Sequence, residues 1–376
     1  MNLLLIILIS GSLIFYLACL LCTLSFFTAK KEIVTQEKKP PVSIMISVCG
    51  LDADAWLNWL SFCQQNYPDY EILFGVTNSE DPAVPLLKKL IATVPNQVQL
   101  YTNLLPNGSN HKDSNLSYLL AKAQHEIIIF ADSDIRVDSE YINRVTAPLK
   151  DELVGMVTCV YLGRNPQSLG AAIASFGRCF DFIPSLLISR FLDGGLRCAV
   201  GVTIATRKSS LADFGGLKLN RIGSDYNLGK RAALAGYRVE LSPNVLESDT
   251  GKETVWEVFR RELRWARTIR FNRGAIYYTM IFCYGTVYCL PLLWLSGLAN
   301  WAIWLSLITF ALRYLQVIVA IFSMNSPKLL LWLWALPLRD FLSFVIWLTG
   351  AFGQGVYWRG RRLKIEGDGL ISEWEN

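Results

Sequence analysis

Hydrophobic and polar positions divide the chain into three regimes. Asn2 to Phe27 is a continuous apolar run, Lys30 to Arg273 alternates short β-branched stretches with polar ones, and an uncharged stretch from Gly274 reaches Leu312. Apolar segments broken by a few charges then continue to Trp358. A bilayer helix needs about 20 apolar residues, so residues 1–29 are expected to form a transmembrane anchor. The run lacks the basic start and short core of a cleaved leader. Lys30, Lys31, Lys38 and Lys39 follow it at once, which predicts a cytosolic location for what comes next.

The middle regime predicts an α/β domain over residues 30–255. Ser43 to Val48, Glu71 to Val76, Glu126 to Phe130 and Gly155 to Tyr161 read as buried strands. Helical segments near Ala55 to Gln65, Val84 to Ala92 and Asn115 to Ala123 lie between them, the alternation of a parallel sheet. Ligands of such sheets bind beyond the carboxyl ends of the strands. Three of those ends are acidic or polar: Gly50-Leu51-Asp52, Asn78-Ser79-Glu80-Asp81-Pro82 and Asp132-Ser133-Asp134.

Residues 256–273 predict an amphipathic interface helix. Residues 274–358 predict a C-terminal membrane region, with two crossings over Gly274 to Leu312 joined by a turn near Ser296 to Asn300. Leu329 to Trp358, interrupted by Pro337, Arg339 and Asp340, is expected to be re-entrant or interfacial, with a third crossing that leaves the tail outside as the rival reading. Arg359 to Lys364 opens a basic tail, 359–376, expected in the cytosol.

Composition agrees with an integral, multi-pass membrane protein: 52% hydrophobic, 18% charged, mean hydropathy +0.32. Nine cysteines at scattered spacings give neither a disulfide framework nor a zinc site, and two histidines exclude mechanisms built on histidine clusters. The net charge of +5 is concentrated locally and suits anionic headgroups and nucleotide phosphates better than nucleic acid.

Three motifs carry candidate chemistry. Asp132 and Asp134 flank Ser133 on a turn after a buried strand, where two carboxylates can hold Mg²⁺ or Mn²⁺ against a diphosphate; the same residues also fit a plain solvated turn. Asp225, in Ser224-Asp225-Tyr226, is either a helix N-terminal residue or a general base removing a proton from an acceptor hydroxyl. Arg260 to Arg267, with Arg270 and Arg273 beyond, form an arginine-rich amphipathic helix. Arg267, Arg270 and Arg273 are expected on anionic lipid, while Arg261 and Arg264 suit a clamp on a leaving diphosphate.

In order and together, these motifs resemble the membrane-bound inverting glycosyltransferases of the GT-A type, whose pattern is D, D, D, (Q/R)xxRW. The resemblance is to the ceramide glucosyltransferase group and its bacterial hopanoid-glycosylating relatives, and it covers nearly the whole chain. It implies a GT-A fold, Rossmann-like with a parallel or mixed sheet, between N- and C-terminal transmembrane helices. By the same resemblance Asp81 contacts the uridine, Asp132 lies at the nucleotide and metal site, and Asp225 is the base. Arg261, Arg264 and Trp265 match RxxRW. Asn110-His111-Lys112 and Asn115-Leu116 resemble N-P-K-x-x-N-L with His111 in place of proline, which places Lys112 near the phosphates; Asp52 and Asp134 complete the expected donor set. Asp134, where animal ceramide enzymes have glycine, is closer to the hopanoid branch.

The expectation is therefore an enzyme that moves one sugar, glucose or N-acetylglucosamine, from a UDP-sugar to a hydroxyl of a membrane lipid. It would work at the bilayer with its catalytic domain in the cytosol, in a bacterial inner membrane, and without nucleic acid. A processive polysaccharide synthase and a non-catalytic nucleotide-binding protein are the rival readings.

Overall fold

The computed structural model of the protein describes residues 1–29, 39–95, 97–248 and 252–374. Lys30, Lys31 and Lys38 of the expected basic flank lie outside the described residues. In chain order, α1 (Asn2–Thr28) is followed by β1 (Val42–Val48), α2 (Ala55–Cys63), β2 (Tyr70–Val76), α3 (Val84–Thr93) and β3 (Val98–Tyr101). Then come α4 (His111–Lys122), β4 (Ile127–Asp132), β5 (Ile135–Arg136), α5 (Tyr141–Thr146) and β6 (Val154–Leu162). Helices α6 (Leu169–Phe176) and α7 (Ile183–Leu192) are joined by a π-turn, Gly177–Phe182. The chain continues through β7 (Thr203–Arg207), α8 (Lys208–Asp213), α9 (Ser224–Leu234), β8 (Arg238–Ser248) and α10 (Val255–Arg273). Then come α11 (Gly285–Leu295), α12 (Asn300–Ser323), α13 (Leu336–Gly350) and the strands β9 (Gly355–Trp358), β10 (Arg361–Ile365) and β11 (Ile371–Glu373).

Two compact units result: Met1–Lys30, Gly163–Leu192 and Lys252–Asp368 form one, and Lys31–Leu162, Asp193–Gly251 and Gly369–Asn376 the other. The second unit is built on an eight-stranded sheet in the order β3-β2-β1-β4-β7-β6-β8-β5. Its first four strands are parallel, β7 runs antiparallel to both β4 and β6, and β8 is parallel to β6. The four strands expected from β-branched runs are all present, and their near-continuous burial is that of central strands. Because β1, β2 and β4 are parallel and in adjacent register, their carboxyl ends, Val48, Val76 and Asp132, open on one edge. The sheet is mixed because β7 reverses direction after β4.

Among the described residues, the first unit holds four helices long and apolar enough to cross a membrane: Asn2–Thr28, Leu169–Leu192, Asn300–Ser323 and Pro327–Gly350. A further helical pair, Val255–Cys283 and Gly285–Leu295, is bent by 55°. Its core brings α1, α11, α12 and α13 together through Ile9, Leu292, Ala302 and Trp347. Several sequence expectations gain detail here. The turn at Ser296 to Ala299 exists, and the first of the two expected crossings before it is not one straight helix: Gly274–Cys283 is a 3-10 run and α11, with Pro291 inside, has 11 residues, so spanning length is reached there only by the bent pair that starts at Val255. The segment expected to be re-entrant or interfacial contains Pro327–Gly350, which is of spanning length. Leu169–Leu192 is of spanning length although Arg178 and Asp181 interrupt its apolar pattern. The basic run from Arg359 is folded: Arg361 and Arg362 pair with Trp358 and Tyr357 in a β-hairpin turned by Arg359 and Gly360, both at positive φ.

Candidate active site

Two loops tied together by backbone groups bring the site's charges into one place. The segment before α4 is held by the segment before α9: Asn110 N–H donates to the Leu219 carbonyl at 2.8 Å, and the Asn110 side chain donates to the Arg221 carbonyl at 2.9 Å. The same side chain accepts from the Asp113 N–H and so caps α4. Lys112 and Asp113 therefore start one helix beside Ser224 and Asp225, which start another. Lys112, Asp113, Ser224, Asp225 and Arg231 line a shared cleft floored by Phe130 and Gly201.

Lys112 is the hub of this cleft. Its ammonium forms an ion pair with Asp132 Oδ1 and donates to the Gly201 carbonyl at 3.2 Å. Burial, the largest single influence, would lower its pKa, but the charge and hydrogen bond of Asp132 together with the carboxylates of Asp225 and Asp113 raise it, so Lys112 stays a cation. Asp132 is fixed in turn by its backbone N–H, which donates to the Val202 carbonyl at 3.1 Å. The Trp59 indole donates to the Ser133 carbonyl at 3.2 Å and holds the Asp132-Ser133-Asp134 turn between β4 and β5.

Asp113 was not foreseen from the sequence, and it is the most perturbed acid of the cleft. Burial pushes its pKa up to about 7; Lys112 and a hydrogen bond from Ser224 oppose the shift, and the carboxylates of Asp225 and Asp132 reinforce it. Its Oδ2 has no hydrogen-bond partner among the described residues. The one signal available in the sequence was an acid following Lys112 on the buried stripe of α4 that also holds Leu116.

Asp81 closes the neighbouring strand end: Oδ2 accepts from Gly50 N–H and Oδ1 from Ala83 N–H, each at 2.9 Å. Asp52, half-buried, lies in the same β1–α2 loop, and its carbonyl accepts from Ala55 N–H. Asn115 joins the ends of β1 and β2 through Ser47 and Thr77, both at 3.3 Å. All six predicted residues lie in the sheet unit: Lys112, Asp132 and Asp225 come together at the cleft, and Asp81 is tied to the β1–α2 loop that carries Asp52.

Arg261, Arg264 and Trp265 belong to α10 in the other unit. A capping box of Thr254 and Glu257 starts that helix. Arg261 is ion-paired with Glu253 and lies over the Trp265 ring at 5.3 Å; Arg264 lies over Trp358 at 5.4 Å and Arg260 over Tyr357 at 4.0 Å. The lipid role expected for Arg267 and Arg270 changes. Arg267 donates to the carbonyls of Phe352, at 3.2 Å, and Gly355, and Arg270 to those of Ala351 and Gly353. Carbonyls left over after α13 ends take up both guanidiniums.

Two carboxylates suit a hard divalent cation, and Asp132 and Asp134 are in the right chemical class. No group of three or more His, Cys, Asp or Glu that could hold a metal occurs among the described residues, and Lys112 already sits on Asp132. The donor set fits a cation that arrives with the diphosphate and takes its remaining ligands from phosphate and water.

The family model described as Glycosyl transferase family 21 matches residues 4–371. The chain belongs to this family. It is therefore an enzyme that transfers glycosyl groups. Among family relatives, Ceramide glucosyltransferase 1 of Caenorhabditis elegans is 24% identical over 358 residues, which cover 90% of this chain and 74% of that protein. Ceramide glucosyltransferase 3 of the same organism is 24% identical over 244 residues, 61% of this chain and 50% of that one. Of solved structures, mannosyltransferase PcManGT from Pyrobaculum calidifontis, in complex with GDP-Man and Mn²⁺, has a TM-score of 0.51 at 16% identity over 92% of this chain and 97% of its own. That likeness shows a GT-A-like glycosyltransferase fold with a mixed sheet, as the motifs implied.

Proposed function

We propose that the protein is a hexosyltransferase that moves one sugar from a UDP-sugar to the hydroxyl of a ceramide-type membrane lipid, with inversion at the sugar carbon. The observation that carries this reading is the juxtaposition of Asp225 with the Lys112–Asp132 ion pair in one cleft at the carboxyl edge of the sheet. A base for an acceptor and a cation for a phosphate stand there side by side. The family match, the ceramide glucosyltransferase relatives and the apolar helices support a lipid as acceptor. A hopanoid hydroxyl presents the same chemistry to Asp225 and is the alternative acceptor.

The proposed roles follow from charge. Asp225 takes the proton of the acceptor hydroxyl, and the freed electron pair attacks the anomeric carbon. The bond from that carbon to the diphosphate oxygen breaks on the opposite face, its electrons leave with UDP, and the configuration inverts. Asp81 and Asp52 bind the nucleoside end, and Lys112 meets the diphosphate. Asp132 and Asp134 would hold Mg²⁺ or Mn²⁺, which supplies charge stabilisation for the leaving group when bound. We assign Arg261, Arg264 and Trp265 to the leaving diphosphate on their match to RxxRW. By role we divide the chain into anchor 1–29, transfer domain 30–255 with the segment 163–192 given over to the apolar-helix unit, arginine helix 256–273, membrane region 274–358 and basic terminus 359–376. The transfer domain works in the cytosol, at a bacterial inner membrane if the hopanoid alternative holds.

Product analysis tests this reading. Purified protein in nanodiscs is given labelled UDP-glucose or UDP-N-acetylglucosamine with ceramide or a hopanoid, and chromatography and mass spectrometry identify the labelled lipid. Release of free sugar with no labelled lipid from any pair would sink the assignment.

A further inference from the structure

Glu262 sits where an amphipathic helix should be apolar. Its neighbours one turn away on α10, Val258 and Ala266, are buried, and so is Glu262. Its Oε2 accepts from Arg339 Nη1 of α13 at 2.7 Å. Arg339 reaches on to Asp181 Oδ2 in the π-turn at 3.2 Å, and Asp181 Oδ1 accepts from Arg313 of α12 at 2.7 Å. Arg313 also binds Asp340 at 2.6 Å, and Thr286 of α11 donates to the other oxygen of Asp340 at 2.7 Å. One hydrogen-bonded chain of two arginines and three carboxylates thus joins α10 to α11, α12, α13 and the π-turn. Its arginines are 2% and 5% exposed, which is deep burial for charge.

The backbone is shaped for this chain. A β-carbon on Gly177, the first residue of the π-turn, would lie 2.3 Å from Arg339 Nη2, so glycine leaves the space that the guanidinium fills. The π-turn places Gly177 and Asp181 toward the same arginine. Such a network is an expensive way to hold helices together, since apolar side chains of similar volume serve stability as well or better. Its distinctive property is direction: apolar stripes tolerate rotation, whereas a carboxylate held at 2.7 Å does not.

We propose that the chain Glu262, Arg339, Asp181, Arg313 and Asp340 fixes the rotation of α10 about its own axis and so positions Arg261 and Arg264, which flank Glu262. The proposal rests on the reading of those two arginines as the diphosphate clamp. Rotating a helix by about 10° moves an atom about 6 Å from its axis by about 1 Å. A misplacement of that size costs on the order of a hundredfold in rate. Glu262 and Arg339 are thus positioning residues.

The decisive variant removes one positive and one negative charge together. Glu262→Gln/Arg339→Gln leaves the network's net charge unchanged, and Asp181 and Asp340 both keep their contact with Arg313, so neither is left without an opposite charge. Full-length protein in nanodiscs is assayed with UDP-glucose and ceramide, alongside its thermal midpoint. The expected result is a midpoint close to that of the unmodified protein, a kcat lower on the order of a hundredfold and a ceramide KM changed less than threefold. A double variant with unmodified midpoint and unmodified kcat overturns the proposal, because the network is then glue alone. If the double variant does not fold, Glu262→Asp keeps the charge but shortens the reach by one methylene; a tenfold or larger loss of kcat supports the proposal, and full kcat overturns it. Arg264→Ala in the same assay separates the two readings. Full turnover in Arg264→Ala removes the clamp itself, whereas loss there with full turnover in the double variant removes only the positioning role.

Discussion

Gly201 packs against the Asp225 carboxylate so closely that a β-carbon on it would lie 2.8 Å from Oδ2. Its carbonyl meanwhile accepts from Lys112, so one residue touches both the proposed base and the proposed phosphate cation. A larger residue here would displace the Asp225 carboxylate, the neighbour whose position matters.

Gly201→Ala should therefore separate stability from catalysis. The Asp225 side chain can swing away at little cost to the fold, but a base moved by about 1 Å loses on the order of a hundredfold in turnover. We expect kcat to fall by that factor while the thermal midpoint in detergent moves by only a few degrees. Unchanged kcat in a folded Gly201→Ala protein would show that Asp225 is not the base.

Asp113 predicts a pH dependence of stability with a definite sign. Its folded pKa, raised to about 7, exceeds the ordinary carboxylate value, so between those values the folded state binds more protons than the unfolded one. Stability is then fully present below the unfolded pKa and is lost as pH rises through about 7, by at most about 4 kcal/mol. Asp113→Asn keeps the shape and removes the charge. Its thermal midpoint should exceed that of the unmodified protein above pH 7, with the difference vanishing near pH 4; a difference that stays constant across this range would refute the shift.

Much of the sheet unit was legible because buried parallel strands leave uniform β-branched runs, as in Ile127 to Ile129, and the acidic turns sit at their ends. Strand β7 carries Thr203 and Thr206, whose hydroxyls are satisfied internally, so its pattern did not read as buried. The spanning-length segment Leu169–Leu192 was hidden by Arg178 and Asp181. Asp181 is neutralised by Arg313 and Arg339, residues far away in the chain, and no local window reveals such a pairing. Asp113 escaped for a related reason: its environment comes from Ser224 and Asp225, more than a hundred residues downstream.

The metal prediction follows from an incomplete donor set. Asp132 and Asp134 supply two carboxylates, Lys112 already neutralises one of them, and no cluster of three ligands occurs among the described residues. A cation should therefore bind with the nucleotide and not before it. Excess EDTA should abolish transfer and Mg²⁺ or Mn²⁺ restore it, while the thermal midpoint without nucleotide stays the same in EDTA. Full transfer in EDTA would leave the leaving group to Lys112 and the arginines alone.

The product should carry a single added sugar. A processive synthase must pass a growing hydrophilic chain between its membrane helices, which needs a continuous polar passage. Around Arg313, within the unit of spanning-length helices, the described interior is filled instead: Tyr16 of α1 and Phe180 of the π-turn are completely buried, and both rings lie within 5 Å of the guanidinium. Arg313 is itself locked by Asp181, Asp340 and Gln316, so its polarity is spent on protein partners and not on a passing polymer. A lipid acceptor needs no passage on the proposed mechanism, because its apolar body stays in the bilayer and only its hydroxyl must reach the proposed base. Mass spectrometry of lipids made by the purified protein in nanodiscs, with labelled UDP-sugar in large excess, should find one mass increment of a single hexose or N-acetylhexosamine. A ladder of two, three or more increments would mean that the packed interior opens during turnover, and the synthase reading would replace the lipid transferase.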